Sequence, residues 1–121
     1  ITMSCKDDVH TCAGQSVAEL GTLTEGNDNI VAIGMNCTMP EFVTPLFEKL
    51  RSTSSKPFIV YPNTGRVWDG ENHCWIGEGL EVIPHVVVGQ WVQLGAKLIG
   101  GCCGLGPIAI ETLDRDLAGL R

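Results

Sequence analysis

The sequence predicts an α/β fold in which short apolar strands form a parallel sheet and amphipathic helices connect them. Two observations carry this. The runs at residues 30–33, 58–61 and 97–100 are mostly apolar without strict alternation, and segments with apolar residues at helical spacing lie between them. Residues able to do chemistry also gather just past the strand ends: Asn36 and Cys37, then Asn63, then Cys102 and Cys103. That is the edge where α/β folds build their sites.

Taken in order, residues 2–5 read as the end of a first strand, and residues 17–23 as a short helix after it. Residues 30–33 form the next strand, stopping at Gly34. Phe42, Val43, Leu46, Phe47 and Leu50 then recur at helical spacing, with Pro45 expected in that helix's first turn, where a missing N–H is tolerated. Residues 58–61 form a buried strand between Pro57 and Pro62. A polar, glycine-containing loop is expected from Asn63 to about Gly79. Leu80, Ile83, Val87, Trp91 and Leu94 make a stripe on one helix ended by Gly95, which assigns Trp91 to the core. Residues 97–100 form the last strand. Pro107 opens a final helix whose Ile110, Leu113, Leu117 and Leu120 share a face.

Length and composition bound the function. A chain of 121 residues with 44% hydrophobic content fits one modest domain with a core. A net charge of -6 leaves no basic footprint, so nucleic acid is not an expected partner. No apolar run approaches the roughly 20 residues that span a bilayer, so no membrane partner is expected either. Six cysteines without a disulfide scaffold's loop-rich surroundings, and no leading signal segment, point to a reducing, cytoplasmic setting. A start at Ile1 is read as a processed chain or a fragment.

The cysteines carry the sharpest signal. Cys102 and Cys103 follow Gly100 and Gly101 at a strand end, where a flexible backbone lets both sulfurs turn toward one point. A soft metal such as zinc is the usual reason to pair thiolates in this way. Cys37, at another strand end, is the third expected ligand. Two alternatives stand beside this reading: buried free thiols, and a structural zinc or a disulfide to Cys37. Cys5, Cys12 and Cys74 read as incidental, and His10, His73 and His85 as surface or loop residues. Asn36 and Asn63 either orient a substrate's carboxylate or amine or bond their own backbone as loop asparagines. Asp7 either contacts the substrate or caps the following helix. Tyr61 reads as a core residue.

In sequence order, Ser4-Cys5-Lys6-Asp7 with His10 and Gly14, Gly34-Met35-Asn36-Cys37, Tyr61-Pro62-Asn63-Thr64-Gly65 with Trp68-Asp69, then Trp91, residues 95–103 and Pro107 resemble the C-terminal half of the homocysteine S-methyltransferase family. The likeness is greatest to the branch that uses S-methylmethionine or S-adenosylmethionine. Gly104 stands where the family usually has arginine, and Arg66 where it often has glutamate.

The resemblance implies that residues 1–121 are the C-terminal half of a (β/α)8 TIM barrel, with about four parallel strands alternating with helices. It implies a catalytic Zn²⁺ held by Cys37, Cys102 and Cys103, with Asn36, Asn63 and Asp7 as candidate substrate contacts. The expected reaction moves a methyl group from a sulfonium donor to the thiol of homocysteine, giving methionine. Four strands cannot close an eight-stranded barrel. The chain is therefore expected to self-associate or to pair with a missing N-terminal half that completes the substrate pocket. The competing reading is a catalytically weak or inactive half-barrel that serves as an oligomeric or interaction module.

Overall fold

The computed structural model describes residues 1–120. Its elements run β1 (Thr2–Met3), α1 (Val17–Glu25), β2 (Ile33–Asn36), α2 (Pro40–Arg51), β3 (Phe58–Tyr61), β4 (Val67–Asp69), β5 (Cys74–Ile76), α3 (His85–Gln93), β6 (Ala96–Ile99) and α4 (Pro107–Gly119). Four strands pair in parallel in the order β1-β2-β3-β6, so the expected α/β partial barrel is what forms. Spatial order follows chain order, and right-handed crossovers then put the connecting helices on one face.

The strands bury one side against those helices. Ile33, Met35, Phe58, Val60 and Ala96 join Val43, Leu46, Phe47 and Leu50 of α2, Val88 and Trp91 of α3, and Ala109 and Leu113 of α4. Phe47 stacks on Phe58 with ring centroids 4.7 Å apart. Trp91 is fully buried, as its stripe predicts, and its Nε1 donates to Thr44 Oγ1 at 3.1 Å. The alternate residues Gly34, Asn36, Ile59, Tyr61 and Leu98 face the other side, which in a closed barrel is the interior. Gly34 is compulsory there, because a Cβ at that position would lie 1.7 Å from the Ile59 carbonyl oxygen.

Several boundaries differ from the sequence expectation, each for a physical reason. The second strand begins at Ile33, not Ile30, and extends through Gly34 to Asn36. Its partner is available only once Pro57 has passed, and Val31 is left 79% exposed. Pro45 lies inside α2, not in its first turn, because Pro40 already opens that helix. The helix of the Leu80–Leu94 stripe starts only at His85: Pro84 is its N-cap and disfavours helical backbone at Ile83. Ile83 still reaches the core from the preceding loop. In α4 the buried face is Ala109 and Leu113, while Ile110 and Leu120 are exposed. The final strand is Ala96–Ile99, one residue earlier than expected. Tyr61 is half-buried on the interior side, its hydroxyl 2.7 Å from Thr2 Oγ1, not a core residue. The expected loop after Asn63 contains the β4–β5 hairpin. Among the described residues no helix is long and apolar enough to cross a membrane.

Candidate functional site

The C-terminal ends of β2, β3 and β6 are laced together beyond the sheet. Cys37 N donates to Tyr61 O at 2.9 Å, Gly100 N to Val60 O at 2.8 Å and Cys102 N to Pro62 O at 2.8 Å. The central strand β3 thus carries a thiol-bearing loop on each side. Cys37 adopts φ +46°, a left-handed conformation that a side chain with a Cβ seldom takes and that clusters at functional sites.

The result is one group of thiols. The sulfurs of Cys37, Cys102 and Cys103 lie within 4.8 Å of one another, the only such cluster of three or more potential metal-ligating residues among the described residues. Cys37 Sγ is 3.3 Å from Cys103 Sγ, and Cys102 Sγ is 3.9 Å from Cys103 Sγ. All three are free thiols. Two sulfurs bound at about 2.3 Å to one tetrahedral ion stand about 3.8 Å apart, so the spacing fits a soft metal. Burial, followed by the neighbouring Cys103 and Cys102 thiols, pushes the Cys37 thiol up to about 12. A cation at the centre would reverse that balance.

The other cysteines stay outside the group. Cys5 is buried, and that burial pushes its thiol up to about 11, while Cys12 and Cys74 are exposed. His10 bonds Asp7, His85 lies 3.2 Å from Asp116 on the surface, and His73 sits in the hairpin turn with φ +51°.

Asn63 is buried and spends both ends of its amide on backbone. Its Nδ2 donates to Cys37 O at 3.0 Å and its Oδ1 accepts from Gly65 N at 2.7 Å. It ties the Cys37 loop to the loop after β3. Asn36 Nδ2 donates to Ser4 Oγ at 2.9 Å. Asp7 Oδ1 accepts from Val9 N at 2.8 Å and His10 N at 2.6 Å, and these bonds hold its carboxyl below the ordinary value of 3.8. Asp7 therefore caps a turn, whereas the N-cap of α1 is Ser16, which accepts from Ala18 N.

Two contributors went unread in the sequence. Buried Thr64 links the loops: its N–H donates to Cys103 O at 3.2 Å, and its carbonyl accepts from Leu80 N at 2.8 Å. Trp75 of the hairpin lines the same cavity as Cys103. Paired runs at 67–69 and 74–76 around Gly70 carry a hairpin signal, though only three residues long on each side. Gly104, φ +82°, lies against Thr64: a Cβ there would be 2.6 Å from Thr64 Cγ2. Any side chain at position 104 would have to displace Thr64 and adopt left-handed backbone.

A sequence model of the homocysteine S-methyltransferase family matches residues 1–117. The chain is 39% identical over 120 residues to homocysteine S-methyltransferase 3 of Arabidopsis thaliana, covering 97% of this chain and 34% of that protein. It is 32% identical to the betaine-homocysteine S-methyltransferase of Drosophila melanogaster, over 100% of this chain and 39% of that one. It is 34% identical to the selenocysteine Se-methyltransferase of Brassica oleracea var. italica, over 99% and 35%. The metallated form of the homocysteine methyltransferase MmuM from Escherichia coli superposes with a TM-score of 0.72 at 28% identity, covering 95% of this chain and 34% of that one. The chain spans about a third of the length of these relatives.

Proposed function

The chain belongs to the homocysteine S-methyltransferase family, and from that membership we propose that it carries the zinc-and-thiol portion of a site for methyl transfer to homocysteine. The observation that carries the reading is the convergence of Cys37, Cys102 and Cys103 from two separate strand ends. Their spacing fits Zn²⁺, and Cys37, Cys102 and Cys103 would be the residues that hold it. Bound there, a zinc ion would supply a lower pKa to a substrate thiol beside it, well below the free value of about 8.5.

The substrate sulfur then attacks the methyl carbon in line. A new S–CH₃ bond forms as the donor's C–S bond breaks, and the electron pair leaves on the donor sulfur, which becomes a neutral thioether. The substrate's thiol proton goes to solvent. A sulfonium is already a good leaving group, so the protein's task is to align and activate the nucleophile. Asn63 and Thr64 serve as positioning residues for the thiol loops, because the Asn63 amide and the Thr64 main-chain N–H and carbonyl are bonded to backbone of those loops. Asn36, whose Oδ1 takes no protein partner among the described residues, is the stronger substrate contact of the three residues singled out from sequence. Asp7 supports the turn beside it.

A second reading is favoured by the uncovered barrel face. Leu98 is 55% and Ile110 44% exposed, and among the described residues the outer edges of β1 and β6 are unpaired. That supports completion of the barrel by further strands or by a second copy. The chain alone is then a poor catalyst. A turnover assay with homocysteine and S-methylmethionine tests this, alongside metal content and oligomeric state. Methionine production that requires all three cysteines supports the transfer reading; a metal-free, stable oligomer without turnover supports the interaction module.

A further inference from the structure

The end of β2 changes direction at Cys37. Side chains alternate along the strand, so Ile33 and Met35 lie in the core against the helices while Gly34 and Asn36 face the interior side. Had the strand run on, Cys37 would share the helix side with Met35 and point away from Cys103. Left-handed backbone at Cys37, φ +46°, breaks the alternation, and its sulfur stands 3.3 Å from Cys103 Sγ. A residue with a Cβ keeps this conformation only where its surroundings over-determine it.

Thr38 supplies the constraint on the turn itself. It is only 1% exposed, and its hydroxyl works in both directions. Oγ1 donates to Asn36 O at 3.1 Å and accepts from Cys5 N at 3.0 Å. The first bond joins the residues on either side of Cys37 and closes a small ring around it. The second fastens that ring to the segment following β1. From the other side, the Thr38 carbonyl accepts from Asn63 N at 3.1 Å. Ser4 adds a further tie, its Oγ accepting from Asn36 Nδ2 at 2.9 Å.

A hydroxyl suits this place because Asn36 O takes a donor and Cys5 N an acceptor, and one O–H group is both. Valine is close to threonine in shape but withdraws that partner from both backbone groups at a buried position. We infer that Thr38 is a positioning residue for the thiol site: its hydroxyl locks the left-handed turn that aims Cys37 at Cys103. The inference rests on the reading of the three thiols as a metal site and deepens it, since Thr38 acts only through Cys37.

Two comparisons on the full chain isolate the hydroxyl: Thr38→Val against the unmodified chain, and Thr38→Ala against Thr38→Ser. Zinc affinity, read by competition with a chelator, should fall about tenfold in Thr38→Val, and about tenfold from Thr38→Ser to Thr38→Ala. Thr38→Ser should stay within about threefold of the unmodified chain. The metal-free chain gives a second readout. Diamide oxidation followed by peptide mapping measures how fast Cys37 and Cys103 join, and that rate should also fall about tenfold when the hydroxyl is lost. Far-UV circular dichroism shows whether each variant is folded, and if Thr38→Val does not fold, the alanine–serine comparison decides alone. A valine variant that keeps both values, or a serine variant that loses as much as alanine, overturns the inference. Weaker zinc binding with an unchanged joining rate overturns it too, because the turn would then still aim Cys37 correctly. An unmodified chain that holds no zinc contradicts the metal reading, and the metal-free rate then decides the role of Thr38 by itself.

Discussion

The sulfurs of Cys37 and Cys103 lie 3.3 Å apart although 66 positions separate them in the chain. The end of β3 sets that distance. Tyr61 O and Pro62 O receive the N–H groups of Cys37 and Cys102, at 2.9 and 2.8 Å, from the strands on either side. A parallel three-strand segment thus brings two loops to one point without any direct covalent link between them.

Asn63 fastens this arrangement. Asn63→Ala leaves Cys37 O and Gly65 N without their amide partners. The expected cost is about 1–3 kcal/mol of stability, read by urea unfolding. Zinc affinity should fall about 10- to 100-fold, read by competition with a chelator.

Gly34 marks where β2 and β3 come too close for any side chain. Gly34→Ala forces a methyl group toward the Ile59 carbonyl, whose oxygen lies 1.7 Å from the added Cβ position. It should cost at least about 3 kcal/mol. Gly26→Ala, with open space around the added carbon, is the matched control and should change the unfolding midpoint little.

Gly104 combines left-handed backbone at φ +82° with contact against Thr64. Gly104→Ala is expected to destabilise by about 1–3 kcal/mol and to displace the Thr64 link to Cys103. Weaker zinc binding in a folded variant, shown by a retained circular-dichroism spectrum, is the expected outcome.

Glu25 gives the fold a dependence on acid. Its carboxylate accepts from Ser54 Oγ, Ser55 Oγ and Ser55 N, which lower its pKa from an ordinary 4.5 to about 2. A lowered folded-state pKa stabilises fully above about pH 4.5 and is lost as pH falls toward about 2. Glu25→Gln should therefore shrink the difference between denaturation midpoints measured near pH 6 and near pH 3.

The sheet, four helices and the thiol group were legible because their signals are local. Buried parallel strands are apolar runs, and the cysteines sit directly at their ends. Long-range pairing decided the rest. The start of β2 depends on where Pro57 lets β3 begin, and the start of α3 on Pro84 overruling an apolar stripe that continues back to Leu80. The β4–β5 hairpin is only three residues long on each strand, too short for alternation to stand out in a polar segment. Asn36, Asn63 and Asp7 could be singled out by position, but their hydrogen-bond partners come from tertiary neighbours or local turns that spacing alone does not reveal.

Zinc stoichiometry tests the central claim most directly. After zinc loading and dialysis, the purified chain should hold one Zn²⁺. Alkylation should release it, and Cys37→Ser, Cys102→Ser or Cys103→Ser should each abolish retention, while Cys12→Ser and Cys74→Ser keep it. Retention by the triple Cys37, Cys102 and Cys103 variant, or no retention by the unmodified chain, would contradict the account.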